Sequence, residues 1–342
     1  MKAIVAHAAK DLRIEERDMP KPGPDQVLIK LAAGGICGSD LHYYNHGGFG
    51  AVRLREPMIL GHEVSGHLTE LGAQVSGLAK GQLVAISPSR PCRTCTYCHE
   101  GQPHHCLNMR FYGSAMPFPH IQGAFREYVV ADVAQCAPAD GLTAAQAAVA
   151  EPLAVCLHAA HQAGDLVGKR VLVTGCGPIG MLCILVARAA GATEVVATDM
   201  TPFTLDMARR LGVDLALNVK DDPEGLNRFA DNKGHFDVQF ECSGAAAALR
   251  ASIPALRPGA TLVQLGLGGD MSLPVQAMTA KEIAFKGSFR FHDEFFTAVK
   301  LMQNGQIDVT PLVTHAFGID DAVAAFEMAA DRTQAIKAQI TF

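Results

Sequence analysis

Cys92, Cys95, Cys98 and Cys106 stand in the pattern C-x2-C-x2-C-x7-C. Four soft thiolate donors so closely spaced suit tetrahedral Zn²⁺. The segment around them is dense in Pro, Gly and polar residues. It has too few apolar side chains for a core of its own, so metal bonds would hold it. His99, His104 and His105 lie near, but four cysteines make a closed set. A closed set predicts a structural zinc.

A second pattern serves a different chemistry. Val171-Leu-Val-Thr-Gly-Cys-Gly-Pro-Ile-Gly180 carries G-x-G-x-x-G at Gly175, Gly177 and Gly180. It follows a β-branched strand and opens a long apolar helix, the context that gives this weak motif its meaning. Gly175 permits the tight turn, Gly177 the close approach of a pyrophosphate, and Gly180 the packing of helix on sheet. The turn continues through Pro178 and Ile179 into a helix N-terminus, whose free N–H groups and dipole favour an anion. The next strand ends in Asp199. A carboxylate there accepts ribose hydroxyls and repels a 2′-phosphate. Met200, Thr201 and Pro202 offer no arginine to bind that phosphate. NAD is therefore expected over NADP.

A third set is scattered: Cys37 in GICGSDLH, His62 and Glu63 in LGHE, and Glu151 in AEP. Cysteine, histidine and carboxylate are the donors of catalytic zinc sites. Each also has an ordinary structural reading, as a buried thiol, a loop histidine, a surface acid and a helix-start carboxylate. Spacing alone does not bring these loops together.

The elements that must position these residues fall into two textures. Over the first 130 residues short strands are expected at 2–6, 12–16, 27–31, 63–67, 83–86 and 126–130, separated by Gly- and Pro-rich turns. That predicts a β-rich barrel or sandwich. Ala-rich helices are expected at 143–149 and 152–163. Strands at 171–174, 194–198, 215–218, 237–241, 261–266 and 283–288 then alternate with helices near 179–190, 202–211, 223–232 and 245–255. This is the α/β pattern of a doubly wound parallel sheet. Helices at 294–303 and 320–330 and strands at 312–317 and 336–341 are expected to return to the first domain.

Of the 342 residues 49% are apolar and 18% charged, with a net charge of −5. That gives ample core and excludes global disorder. No run of Lys or Arg exceeds two, so nucleic acid is not an expected partner. The longest uncharged apolar stretch, 171–187, contains Gly175, Gly177 and Pro178, which argues against a membrane span. The N-terminus lacks a secretory pattern. Ten cysteines in such a chain point to thiols and metal sites in the cytoplasm rather than to disulfides.

The segments GGICGSDLHYY (34–44), LGHEVSGH (60–67), the four-Cys lobe, MRFYGSAMPFPH (109–120), AEPLAVCLHAAHQAG (150–164), TGCGPIG (174–180) and KGSFRF (286–291) carry a resemblance over essentially the whole chain. It resembles the zinc-dependent medium-chain dehydrogenases, in their sorbitol-dehydrogenase branch. Segments 109–120 and 150–164 turn the resemblance towards members that act on a sugar acid. The resemblance implies a GroES-like β-rich catalytic domain (1–149 and 290–342, its zinc lobe about 90–108). It also implies a Rossmann NAD-binding domain (150–289). Two zincs per chain and a homodimer or homotetramer follow from it. It implies that Cys37 and His62 hold a catalytic zinc, with Glu63 and Glu151 both matching glutamates near that metal. Asp40 matches an acid that orients the histidine.

The chemistry so implied is hydride transfer between a secondary alcohol and NAD. Ser39 resembles a hydroxyl that takes the alcohol's proton, and His42 could pass it on. A sugar acid also offers a carboxylate, which arginine binds in bidentate fashion. Arg110 and Arg290 sit in matching segments, Arg110 being the sharper choice because polyol-specific relatives share Arg290. Tyr43 and Phe111 could pack on the carbon chain. A neutral polyol such as sorbitol, xylitol or galactitol, or L-threonine, is the alternative substrate. A remote alternative is an inactive nucleotide-binding relative.

Overall fold

The structure is a computed structural model that describes all 342 residues, Met1–Phe342. The chain divides into two compact units. One comprises Met1–Ala154, Phe291–Asp331 and Lys337–Phe342, the other Val155–Arg290 and Arg332–Ile336.

The first unit is built on a seven-stranded sheet. Its order is Cys136–Pro138, Leu83–Ile86, Glu63–Leu71, Gln26–Gly35, Lys337–Thr341 and Val313–Gly318, with Tyr128–Asp132 also paired to Gln26–Gly35. All pairings are antiparallel except that of the last two strands. Val27, Leu28 and Ile29 are consecutive and buried, because this central strand is covered on both faces. Ile4, Ile29, Phe125, Phe326 and Ile340 share the core. The expected strands at 2–6 and 12–16 form, and they pair as an antiparallel hairpin, Lys2–Ala8 with Asp11–Glu16.

The second unit is a parallel sheet with helical crossovers. Its strands are β1 (Arg170–Thr174), β2 (Glu194–Asp199), β3 (Leu215–Asn218), β4 (Phe236–Glu241), β5 (Leu256–Gln264) and β6 (Ala284–Gly287). Their order is β3-β2-β1-β4-β5-β6. The order reverses between β1 and β4, which places a ligand crevice at their carboxyl ends. Leu172, Val196, Phe236 and Leu262 lie in its core.

One expected element is corrected. Residues 223–232 do not form an α-helix but two short 3-10 turns, Gly225–Phe229 and Asp231–Lys233. Gly225 weakens the would-be first turn. Only Leu226 and Phe229 reach the core, too little apolar surface to hold a helix face. Asn232 and Lys233 then take positive φ, ending any helical path.

Candidate active site and coenzyme site

Sheet register brings the scattered set together. Strand Gln26–Gly35 ends where Glu63–Leu71 begins, with Gly35 paired to Glu63. Cys37 follows the first strand and His62 precedes the second, so both leave the sheet at the same end. The donor atoms of Cys37, His62 and Glu63 lie within 4.8 Å of one another. A Cβ on Gly35 would fall 2.1 Å from Glu63 Oε2. Glycine there leaves room for the carboxylate.

Asp40 fixes the two loops. Helix Gly38–His46 starts at Cys37 as its N-cap. Asp40, wholly buried in its first turn, accepts the N–H of Cys37 at 3.1 Å and that of Gly61 at 3.0 Å. One carboxylate therefore holds the backbone beside both donors. His62 turns Nδ1 towards Asp40 at 3.8 Å, and that nitrogen has no hydrogen-bond partner. Burial alone would depress the imidazole, but Asp40, Cys37 and Glu151 outweigh it and hold its pKa well above the ordinary value.

Lys337 is the residue that sequence reasoning missed. It opens strand Lys337–Thr341, which pairs with Gln26–Gly35 at this same end. Its Nζ lies 2.8 and 2.7 Å from the two oxygens of Glu63, and both side chains are buried. The only sequence signal was a lysine opening an otherwise strand-like stretch.

Glu151 is buried at the start of helix Ala150–Ala163 but is not part of the three-donor cluster. Burial first, and then its neighbours Glu63 and Asp40, push its carboxyl up to about 7 against the pull of His62 and Lys337. Asp40, Glu63 and Glu151 are thus three buried acids near a thiol, with Lys337 their one buried lysine neighbour. Buried charge without compensation is costly, so this surplus fits a cation. Thiol, imidazole and carboxylate are the donor set of a zinc with an open position.

Around this centre Ser39 and His42 lie three residues apart on helix Gly38–His46 and are half-buried. No hydrogen bond joins them. Burial, then the neighbouring His46, lower the pKa of His42. Phe111 sets its ring 5.5 Å from that of His62. Tyr43 is buried beside Phe49, and its hydroxyl accepts the N–H of Ala115 at 3.1 Å. Arg110 is exposed and adjacent to Phe111 in the two-residue strand Arg110–Phe111. Alternation along a strand turns it away from the face that Phe111 presents to His62. Arg290, at the end of a segment of the second unit, is half-buried, with its guanidinium 4.8 Å from the centre of the Phe289 ring.

The four-Cys lobe forms one cluster, with the sulfurs of Cys92, Cys95, Cys98 and Cys106 within 4.8 Å of one another. Amide groups converge on them. Cys92 N–H and Asn108 N–H donate to Cys106 Sγ at 3.1 and 3.3 Å. The N–H of Thr94 reaches Cys92, that of Leu107 reaches Cys95, and that of Arg93 reaches Cys98. The positive φ of Arg93, 61°, belongs to this turn. Donors aimed at sulfur stabilise thiolates, the form that binds metal, and they hold Cys92 and Cys95 below the ordinary thiol value, while burial and then Cys95 and Cys106 push Cys98 up to about 12. None of the ten cysteines is in a disulfide.

In the second unit Gly175 turns with φ 88°, and a Cβ on Gly180 would lie 1.8 Å from Gly175 O. Gly177 is different. Its φ is −72° and a Cβ there would meet nothing within 4 Å. The protein does not itself require glycine at that point, so the open space suits an external group. Gly177 caps helix Pro178–Ala189, with Pro178 at its first position and Ile179 and Gly180 following. The N–H groups of Ile179 and Gly180 are among those that a helix N-terminus leaves without intrahelical partners, and such a terminus favours an anion. Asp199, at the end of β2, accepts the N–H groups of Cys176 (2.7 Å), Met200 (2.7 Å) and Thr201 (2.9 Å). It braces the glycine turn as well as presenting a carboxylate.

A β-rich unit with a Cys–His–Glu centre, a four-Cys lobe and a glycine-turn parallel sheet define a class. Residues 23–141 match the alcohol dehydrogenase GroES-like domain, and residues 178–304 match the zinc-binding dehydrogenase domain. The chain belongs to the zinc-binding alcohol dehydrogenases, and it is an oxidoreductase. It is 43% identical over 318 residues to L-idonate 5-dehydrogenase (NAD(P)(+)) of Escherichia coli, covering 92% of each chain. The crystal structure of L-idonate 5-dehydrogenase from that organism matches with a TM-score of 0.95 and 40% identity, over 100% of this chain and 98% of the other. Sorbitol dehydrogenase of Gallus gallus is 37% identical over 330 residues, 95% of this chain and 92% of its own.

Proposed function

We propose that the chain oxidises a secondary alcohol of a sugar acid with NAD, most specifically L-idonate to 5-keto-D-gluconate, reversibly. The observation that carries the chemistry is the convergence of Cys37, His62 and Glu63 with Asp40 pinning both loops. The likeness to L-idonate 5-dehydrogenase supports the substrate.

When bound, zinc at Cys37, His62 and a glutamate supplies Lewis acidity towards an alcohol, and a dinucleotide at the Gly177 turn supplies the hydride acceptor. The chain's residues do the rest. Asp40 holds both donor loops in register. Ser39 accepts the alcohol's proton, and His42, kept neutral at neutral pH by its lowered pKa, takes it onward. Phe111 and Tyr43 flank the carbon chain. Arg110 or Arg290 binds the carboxylate; strand alternation makes Arg110 the weaker of the two. Asp199 favours NAD by repelling a 2′-phosphate. The four-Cys lobe holds a second, structural zinc.

No helix is long and apolar enough to cross a membrane, and reduced thiols suit a cytoplasmic enzyme. Self-association is supported by the edge strand β6, whose four residues are all exposed.

The test is turnover of the purified, zinc-replete protein. L-Idonate, sorbitol, xylitol, galactitol and L-threonine are each offered with NAD and with NADP, and reduced nicotinamide is followed by absorbance. The highest kcat/KM is expected for L-idonate with NAD. Faster turnover of sorbitol would replace the sugar-acid reading by the polyol one. No turnover on any would leave the inactive relative.

A further inference from the structure

The carboxyl ends of β1, β4 and β5 converge on one buried side chain that the hydride chemistry does not use. Glu241 closes β4 and is wholly buried. It pairs with Thr174, the last residue of β1, and with Gln264, the last of β5. Its carboxylate only accepts. Oε1 takes the N–H of Ser243 at 3.0 Å, the hydroxyl of Ser243, and more weakly that of Thr174 at 3.4 Å. Oε2 takes the N–H of Gly244 at 3.0 Å and Nε2 of Gln264 at 2.7 Å. Its backbone carbonyl takes the N–H groups of Leu265 and Gly266, both at 2.9 Å.

The loops so tied are those that border the switch point. A Cβ on Gly175 would lie 2.7 Å from Ser243 N, and one on Gly266 would lie 2.1 Å from Gly244 N. The glycine turn therefore rests directly on the loop after β4, and that loop on the one after β5. Any change in the bonds Glu241 makes is passed to the turn that faces the coenzyme.

The geometry points to Glu241 as a positioning residue of the coenzyme crevice, acting through the loops after β4 and β5 on the glycine turn. This rests on the reading of that turn as a dinucleotide site. Glu241 is not a mere spacer, because its role needs two oxygens that both accept. Glutamine has the same size, yet its NH₂ group would face N–H donors, leaving buried donors unpaired.

The experiment is titration of the zinc-loaded protein with NADH, read by nucleotide fluorescence, for wild type, Glu241→Gln and Ser243→Ala. Thermal unfolding, zinc content and kcat at saturating coenzyme are measured beside it. Glu241→Gln is expected to weaken NADH binding by about 10- to 100-fold, and Ser243→Ala by about threefold. Zinc content should stay unchanged and kcat within about threefold. NADH binding within twofold of wild type in a folded Glu241→Gln variant would overturn the proposal. If that variant does not fold, Ser243→Ala and Gln264→Ala decide, and undisturbed binding in both would overturn it. A fall in kcat equal to the loss of affinity, or lost zinc, would overturn it in favour of a general structural role. Failure of the wild type to bind NADH would instead overturn the coenzyme reading, and this inference with it.

Discussion

Lys337 offers the sharpest test of the first unit's site. Its ammonium sits against both oxygens of Glu63, at 2.8 and 2.7 Å, with each side chain under 5% exposed. Lys337→Met keeps most of the apolar stem and removes the charge. It leaves a carboxylate buried without its partner, which costs about 3–5 kcal/mol. In a unit of about 200 residues, at roughly 2–4 °C per kcal/mol, the midpoint should fall by about 10 °C. The assay is thermal unfolding of chelator-treated protein, repeated after zinc loading and with Glu63→Gln in a double-mutant cycle. Met at 337 with Gln at 63 should recover most of the loss, because no orphaned charge remains. Zinc should recover part of it too, since a cation beside Glu63 replaces the missing ammonium. A loss below about 1 kcal/mol in the metal-free protein would refute the buried pair. A loss of equal size with and without zinc would remove Glu63 from the metal.

Other consequences concern separate parts of the chain. Cys95→Ala should lower the zinc content from two per chain to one by elemental analysis; two remaining would show that the lobe is not a metal site. Asp199→Ser should shift the NADP-to-NAD ratio of kcat/KM upward by roughly 10- to 100-fold, since it removes the carboxylate that repels a 2′-phosphate; an unmoved ratio would clear Asp199 of selectivity. Tyr44 donates to Glu327 at 2.7 Å, with Lys10 on the same carboxylate, so Tyr44→Phe should cost about 1 kcal/mol in urea unfolding, Glu327 being half-exposed. Asp237 has a lowered pKa: burial opposes the shift, but the backbone and guanidinium of Arg170, then Arg257, outweigh it. A lowered folded value means stability present above the unfolded carboxyl pKa and lost as pH falls through the folded one. The stability gap between wild type and Asp237→Asn should therefore be wide at neutral pH and close in acid; a gap independent of pH would contradict the pairing.

The parallel sheet was legible because its information is local. Three of its strands, β1, β2 and β4, are short runs that carry β-branched residues and are each followed by their own helix, and β3, which has none, was found at its full bounds. The glycine turn was legible for the same reason, with strand, turn and helix contiguous in 171–189. The region 223–232 failed because propensity was read without asking what would bury the helix. The segment offers Leu226 and Phe229 to the core and little else, so tertiary burial did not support it. The four-Cys lobe was legible from spacing, yet the amides that converge on its sulfurs follow from backbone turns such as that at Arg93, which no residue pattern announces.

The Cys37, His62 and Glu63 centre is a product of register, and register is non-local. Pairing Gly35 with Glu63 joins positions 28 residues apart, and pairing Gln339 with Gly35 brings in a strand more than 300 residues away. A slip of one residue would turn Glu63 to the opposite face of the sheet, carrying it away from both Lys337 and the thiol. Ile29 and Val64 are both buried, and their packing holds that register and so sets the donor geometry. Resemblance could supply the identities of Cys37 and His62 without this reasoning, but it supplied no role for Lys337. Only the sheet shows that a lysine opening the last strand must arrive beside the first strand's end, where a buried carboxylate already waits for a cation.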